Sequence, residues 1–200
     1  MMPCERLARI ALMKSLRNFV IALTLPAAIL TISPVISTAS AATATQAFTA
    51  TMPKAYQPIA ANGGSDDYHC FVIDPHVTKN SMITSVTFKP QQKLMVHHMI
   101  LFQITQKDRD AALALDKNGA GWSCFGGTGV GSSFSSFLTT PWLSSWAPGR
   151  NNDVMPTGYG TSVAKGDLLV VQIHYNLLAI DFGTAPKDRS SVVLDTVPKS

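Results

Sequence analysis

The sequence predicts an all-β fold, an antiparallel β-sandwich of jelly-roll type with one short helix. Beyond residue 65 the apolar segments are short and separated by Gly, Pro, Asn and Asp turn signals. β-branched residues are prominent within them, and only the stretch from Asp108 to Lys117, ended by Asn118-Gly119, has helical character. Strands alternating with helices would indicate a parallel α/β sheet instead, and neither that alternation nor an internal repeat is present.

At the N-terminus, Lys14 and Arg17 precede an apolar run from Phe19 to Leu30, followed by small residues ending in Ala39-Ser40-Ala41. Basic, apolar and small segments in that order form a secretory signal, and the run is too short for a permanent membrane span. Residues 1–41 are therefore expected to be removed from a secreted or periplasmic protein, with Met13 a possible true start. The competing reading is an uncleaved N-terminal anchor. Their loss takes away four basic residues and one acidic residue, so the net charge falls from +4 to +1. The basic residues left form no cluster and do not alternate with stacking aromatics, which argues against nucleic acid as a partner. A chain that is 46% hydrophobic and 14% charged, shortened in this way from 200 residues, suffices for one well-packed domain.

Residues 42–65, rich in Ala, Thr, Pro and Gly without a sustained period, read as a flexible linker, and residues 66–200 as the domain. In the strand from Met82 to Phe88, Met82, Thr84, Val86 and Phe88 are expected on one face, with Ile83, Ser85 and Thr87 on the other. Leu94 to Ile104 is apolar on both faces and belongs in the middle of the sandwich. The Gly- and Ser-rich stretch from Gly126 to Ser136 reads as a loop; it lacks a GK[ST] ending, so it is no phosphate-binding turn. Trp146-Ala147-Pro148-Gly149 and Met155 to Gly160 are further turn signals. In Leu168 to Tyr175, Leu169, Val171, Ile173 and Tyr175 are core-like, while Gln172 and His174 share the opposite face.

Cys4 leaves with the signal, so Cys70 and Cys124 remain. Two cysteines in an exported chain most simply form one disulfide, worth roughly 3 to 5 kcal/mol, and a pair of soft copper ligands is the competing reading. The five histidines are His69, His76, His97, His98 and His174, and the chain beyond residue 41 contains no Glu. Without HExxH or G-x-S-x-G, zinc-protease and serine-hydrolase chemistry have no motif behind them. His97 and His98 in a doubly apolar strand are costly to bury, at about 1 to 3 kcal/mol for each unpartnered ring. A metal ion would supply the partner, and neutral imidazoles without a carboxylate suit copper in both its oxidation states. Adjacent strand residues point to opposite faces, however. Both rings reach one ion only near a strand end or edge, or where a bulge redirects one of them. A structural or surface pair of histidines is the alternative.

The run Val96-His97-His98-Met99-Ile100-Leu101-Phe102 resembles the V-H-H-M-x-x-F signature of the copper type II, ascorbate-dependent monooxygenases, the family of peptidylglycine α-hydroxylating monooxygenase and dopamine β-monooxygenase. Asp67-Tyr68-His69-Cys70 resembles the family's D-T-Y-x-C, Trp146-Ala147 its W-A, Pro156 to Gly160 its P-x-G-x-G, and Val171 to Tyr175 its L-Q-V-H-Y. These occur in family order and cover its N-terminal catalytic domain. The resemblance implies that His97, His98 and His174 hold one copper ion that takes electrons from ascorbate. It also pairs Cys70 with Cys124 and places Tyr68 and Gln172 near the metal. His69 and His76 match no ligand and read as ordinary surface or turn histidines.

There are departures. Ile104 stands where a family cysteine would follow the His-His-Met strand, so the domain's second disulfide is absent. The family's oxygen-activating copper, held by an H-x-H pair and a methionine, belongs to a second domain that would begin near Ser200. The expected function is thus the electron-transfer half of a monooxygenase that hydroxylates a C–H bond with O2, working with a C-terminal domain or partner chain that carries the second copper. No residue of this chain is implied as the catalytic one. The alternative is a non-catalytic secreted copper-binding protein.

Overall fold

The computed structural model describes residues 44–131, 140–180 and 184–199. Along these run β1 (Gln46–Thr51), β2 (Asp66–Ile73), β3 (Ser81–Lys89), β4 (Val96–Ile104), α1 (Arg109–Leu115), β5 (Trp122–Ser123), β6 (Trp142–Trp146), β7 (Asp153–Val154), β8 (Thr161–Val163), β9 (Leu168–Asn176) and β10 (Ser191–Pro198). They form two antiparallel sheets. One has the order β1-β10-β3-β7, with β8 also on β3; the other has the order β5-β2-β9-β4-β6. Among the described residues, the expected β-sandwich with one short helix is what forms. The signal segment and residues 132–136 of the expected Gly/Ser loop lie outside the described residues.

β9 explains the placement of everything functional. Its neighbours are β2 and β4, and eight of its nine residues are buried. Leu169, Val171, Ile173 and Tyr175 point into the space between the sheets, where they meet Phe71, Ile73, Met99 and Leu101 of their own sheet and Ile83, Val86, Val192 and Leu194 of the other. Each such side chain contributes about 1.5 to 3 kcal/mol by leaving water. The opposite phase of β9 faces outward. There Leu168 and Val170 join Cys70, Val72, Phe102, Ile104 and Cys124 in a second cluster, covered by Ala112 of α1. The even positions continue along this outer face to Gln172 and His174.

Two strands depart from simple alternation. In β3, Ser85 pairs with Asp195 but Ile83 with Thr196, leaving Thr84 as an extra residue. The phase therefore changes at Thr84. Ile83 enters the core together with Val86 and Phe88, and Met82 is only half-buried on the other side. A single inserted residue reverses every side chain before it, which a period-2 reading of one strand does not reveal. The second irregularity is in β4, where Val96 pairs with Tyr175 and His98 with His174, leaving His97 as the extra residue.

The expected linker, residues 42–65, is no tether over its described part, residues 44–65. Gln46–Thr51 pairs with β10 over its whole length, Ala50 and Met52 are buried, and Tyr56 bridges to Asp188. The core-facing residues of this stretch, Phe48, Ala50 and Met52, do recur with period two. The intervening Thr and Ala residues, and the small size of Ala50, hide the alternation.

Candidate metal centre

The three histidines that the sequence singles out come together on the outer face of the second sheet. The register explains how. Tyr175 and Ile173, opposite Val96 and Met99, face the core, so His174 and its partner His98 face out. The bulge at His97 breaks the alternation that would otherwise send this ring inward, and it stands exposed beside His98. Of the three rings His174 is buried, His98 half-buried and His97 exposed.

All three point the same atom inward. Nδ1 of His174 lies 3.1 Å from Nδ1 of His97 and 3.3 Å from Nδ1 of His98, and the last two are 3.3 Å apart. The ring planes are inclined at 63° to 69° to one another. The point equidistant from the three nitrogens, at the mean edge divided by √3, is about 1.9 Å from each, against about 2.0 Å for an imidazole–metal bond. Three inward Nδ1 atoms cannot satisfy one another by hydrogen bonding, because each offers a single N–H or a single lone pair in its ring plane. A cation accepts all three lone pairs at once. The residues therefore fit a metal ion. Among the described residues no other group of three or more His, Cys, Asp or Glu donors is placed to hold one.

Electrostatics keeps His98 available as a donor. Burial, reinforced by the neighbouring His174 and His97, pushes the His98 imidazole down to about 4, so it is a neutral ligand at neutral pH. His174 donates Nε2–H to Asp66 Oδ1 at 2.7 Å. That bond, more than the one from Ser65, holds the Asp66 carboxyl below the usual carboxylate range. Tyr68, directly across the ladder from His174, stacks on its ring with centroids 4.0 Å apart and planes within 4°. Phe125 closes edge-on against Tyr68 at 4.8 Å.

Gln172 is adjacent but serves another purpose. Its amide donates to Cys124 O at 2.6 Å and Gly127 O at 3.2 Å, fixing the loop after β5 to the sheet. Cys70 and Cys124 form a disulfide with Cα atoms 5.8 Å apart, so the reading of these cysteines as copper ligands is overturned. Between the histidines and β6 lies a pocket of about 610 Å³, with His98 and Tyr68 on one side, Phe102 and Trp142 on the other, and Ile100 and Gln172 against the sheet.

His76 is an exposed turn residue beside Asp74, as expected. His69 differs: it sits in β2 facing inward, stacked on Tyr56 at 3.9 Å, with Nε2–H donated to Ala120 O. Neither belongs to the cluster. Asp66 and Asn176, which donates its amide to Asp66 Oδ1 at 3.0 Å, were not singled out from the sequence. The signal was the strand period: Asp66 lies two residues before Tyr68, and Asn176 two after His174.

The chain matches no protein-family model and no curated protein by sequence. No helix of the described residues is long and apolar enough to cross a membrane.

Proposed function

We propose that this domain is the copper-binding, electron-transferring N-terminal half of a secreted or periplasmic ascorbate-dependent monooxygenase, acting with a C-terminal domain or partner chain that carries a second copper. The observation that carries the reading is the triangle of Nδ1 atoms from His97, His98 and His174, built without a carboxylate. A neutral, all-imidazole donor set accommodates both Cu(I) and Cu(II) and so supports one-electron exchange. The motif order from Asp67 to Tyr175 supports the family assignment, and the Cys70–Cys124 disulfide is at home in an oxidising compartment.

Hydroxylation of a C–H bond by O2 consumes two electrons and two protons and yields the alcohol and water. Ascorbate supplies electrons singly, so such a reaction needs a site that accepts one and relays it. His97, exposed, provides the approach for the reductant. His174, buried and braced by Tyr68 and Asp66, keeps the donor set fixed while charge passes through. Fixed ligands reduce the reorganisation that each change of charge demands.

Copper titration of the chain freed of residues 1–41, followed by oxygen and ascorbate consumption, tests the reading. It expects one tightly bound copper per chain, ascorbate oxidation by the loaded domain, and hydroxylated product only after a partner carrying the second copper is added. Copper binding with no electron delivery to any such partner would favour the non-catalytic copper-binding protein. No copper binding would dismiss both.

A further inference from the structure

We propose that Asp66 is a positioning residue for the metal centre, holding His174 in the tautomer that leaves Nδ1, and not Nε2, free to bind the ion. The inference rests on the three-histidine site proposed above and goes beyond it, because the site as such does not say why this ring presents Nδ1. A neutral imidazole carries its proton on either nitrogen, and the partner of one nitrogen decides the fate of the other. A carboxylate only accepts. With Asp66 Oδ1 at 2.7 Å, Nε2 must carry the proton, and the lone pair is left on Nδ1, where His97 and His98 converge.

The carboxylate is itself held in place. Asn176 donates to Oδ1 at 3.0 Å and Ser65 donates to Oδ2 at 2.9 Å. Asp66 faces Asn176 at one ladder position, and Tyr68 faces His174 two residues along β2 and β9. The same two strands therefore supply the hydrogen-bond anchor and the stacking plane that stops the ring from swinging. The Asp66 side chain is 43% exposed, so its hydrogen bond with the neutral His174 ring contributes little to folding. Its consequence lies in the ligand: anionic support makes His174 a stronger donor and favours the more highly charged state of a bound copper ion.

The test compares the wild-type chain with Asp66→Asn and Asp66→Ala. It reads three quantities: the His174 tautomer by nitrogen NMR in the metal-free protein, copper affinity by competition with a chromophoric chelator, and the copper midpoint potential. Asp66→Ala should populate both tautomers and lose 10- to 100-fold in copper affinity with the melting temperature nearly unchanged. Asp66→Asn keeps an acceptor oxygen and should restore the tautomer, yet its midpoint potential should rise because the negative charge is gone. An unchanged tautomer in Asp66→Ala, with affinity within twofold of wild type, overturns the proposal. If Asp66→Ala fails to fold, Asp66→Asn decides, and a midpoint potential equal to that of wild type overturns it. If wild-type protein binds no copper, the functional reading falls, while the tautomer in the metal-free variants still decides the role of Asp66.

Discussion

His97 and His98 are consecutive residues of one strand, yet their Nδ1 atoms lie 3.3 Å apart on the same face of the sheet. A regular strand forbids this, and the extra residue at His97 permits it. The bulge, more than the dipeptide, is therefore the feature that brings the rings into a cluster able to hold a metal ion. Deleting residue 97 should restore an unbroken β4–β9 ladder and leave a folded domain, while metal affinity falls at least 100-fold. His97→Ala keeps the bulge and should lose metal to a similar extent, with stability within about 0.5 kcal/mol of wild type because the ring is exposed. Isothermal titration with copper and thermal melts of both variants check this.

The metal-free domain should lose stability in mildly acidic solution on account of His98. Its folded imidazole titrates at about 4, whereas an unfolded histidine titrates near about 6.5. Between these values the unfolded chain takes up a proton that the folded chain refuses. Stability is thus complete above about pH 6.5 and falls as pH drops toward 4. Allowing for solvent screening of a half-buried ring, the loss is about 2 kcal/mol. Urea denaturation from pH 7 to pH 4 should show the decline, and His98→Asn should flatten it; an equally steep profile in the variant would assign the effect elsewhere.

The alternation of β9 was readable from the chain because the strand is central and regular: its odd residues fill the core and its even residues lead to His174. The cluster itself was readable only in part. His97 and His98 marked a site through the cost of burying them, but nothing local says that the strand bulges there; that depends on pairing with a strand some 70 residues later. The same blindness explains β3, where Thr84 reverses the expected phase. β1 escaped because small residues bury little area and its partner, β10, lies at the other end of the chain. Asp66 escaped for a related reason. Its bond to His174 spans 108 residues, and only the register of β2 against β9 brings the two together.

Asp188 should prove the most sensitive polar residue outside the metal centre. It is fully buried and accepts hydrogen bonds from Tyr175 Oη, Ser190 Oγ, and the backbone amides of Ser190 and Gln92. Burial, with the Asp188 carboxylate beside it, pushes the Tyr175 phenol well above its ordinary range, so the phenol keeps its proton and donates it in ordinary buffers. Asp188→Ala would strand several donors and is expected to cost about 3 to 5 kcal/mol. Tyr175→Phe removes one donor and should cost about 1 kcal/mol. Chemical denaturation of both variants measures the difference.

The Cys70–Cys124 disulfide and Gln172 hold the same loop by different means, and their removal should separate stability from access to the metal centre. The disulfide closes a loop 54 residues apart in sequence, so Cys70→Ser/Cys124→Ser should cost about 4 kcal/mol in the chain-entropy account. Gln172→Ala removes the amide donor shared by the carbonyls of Cys124 and Gly127, leaving Cys124 O only the longer bond from the Gly127 amide, and should cost about 1 to 3 kcal/mol. Phe125 follows Cys124 directly and packs edge-on against Tyr68, which in turn stacks on His174. Loosening the loop should therefore free the Tyr68 face and speed the exchange of bound metal with a chelator, even where the melting temperature of Gln172→Ala shifts by only a few degrees. Metal-release kinetics faster in Gln172→Ala than in wild type would confirm the coupling; equal rates would show that Tyr68 is held by the sheet alone.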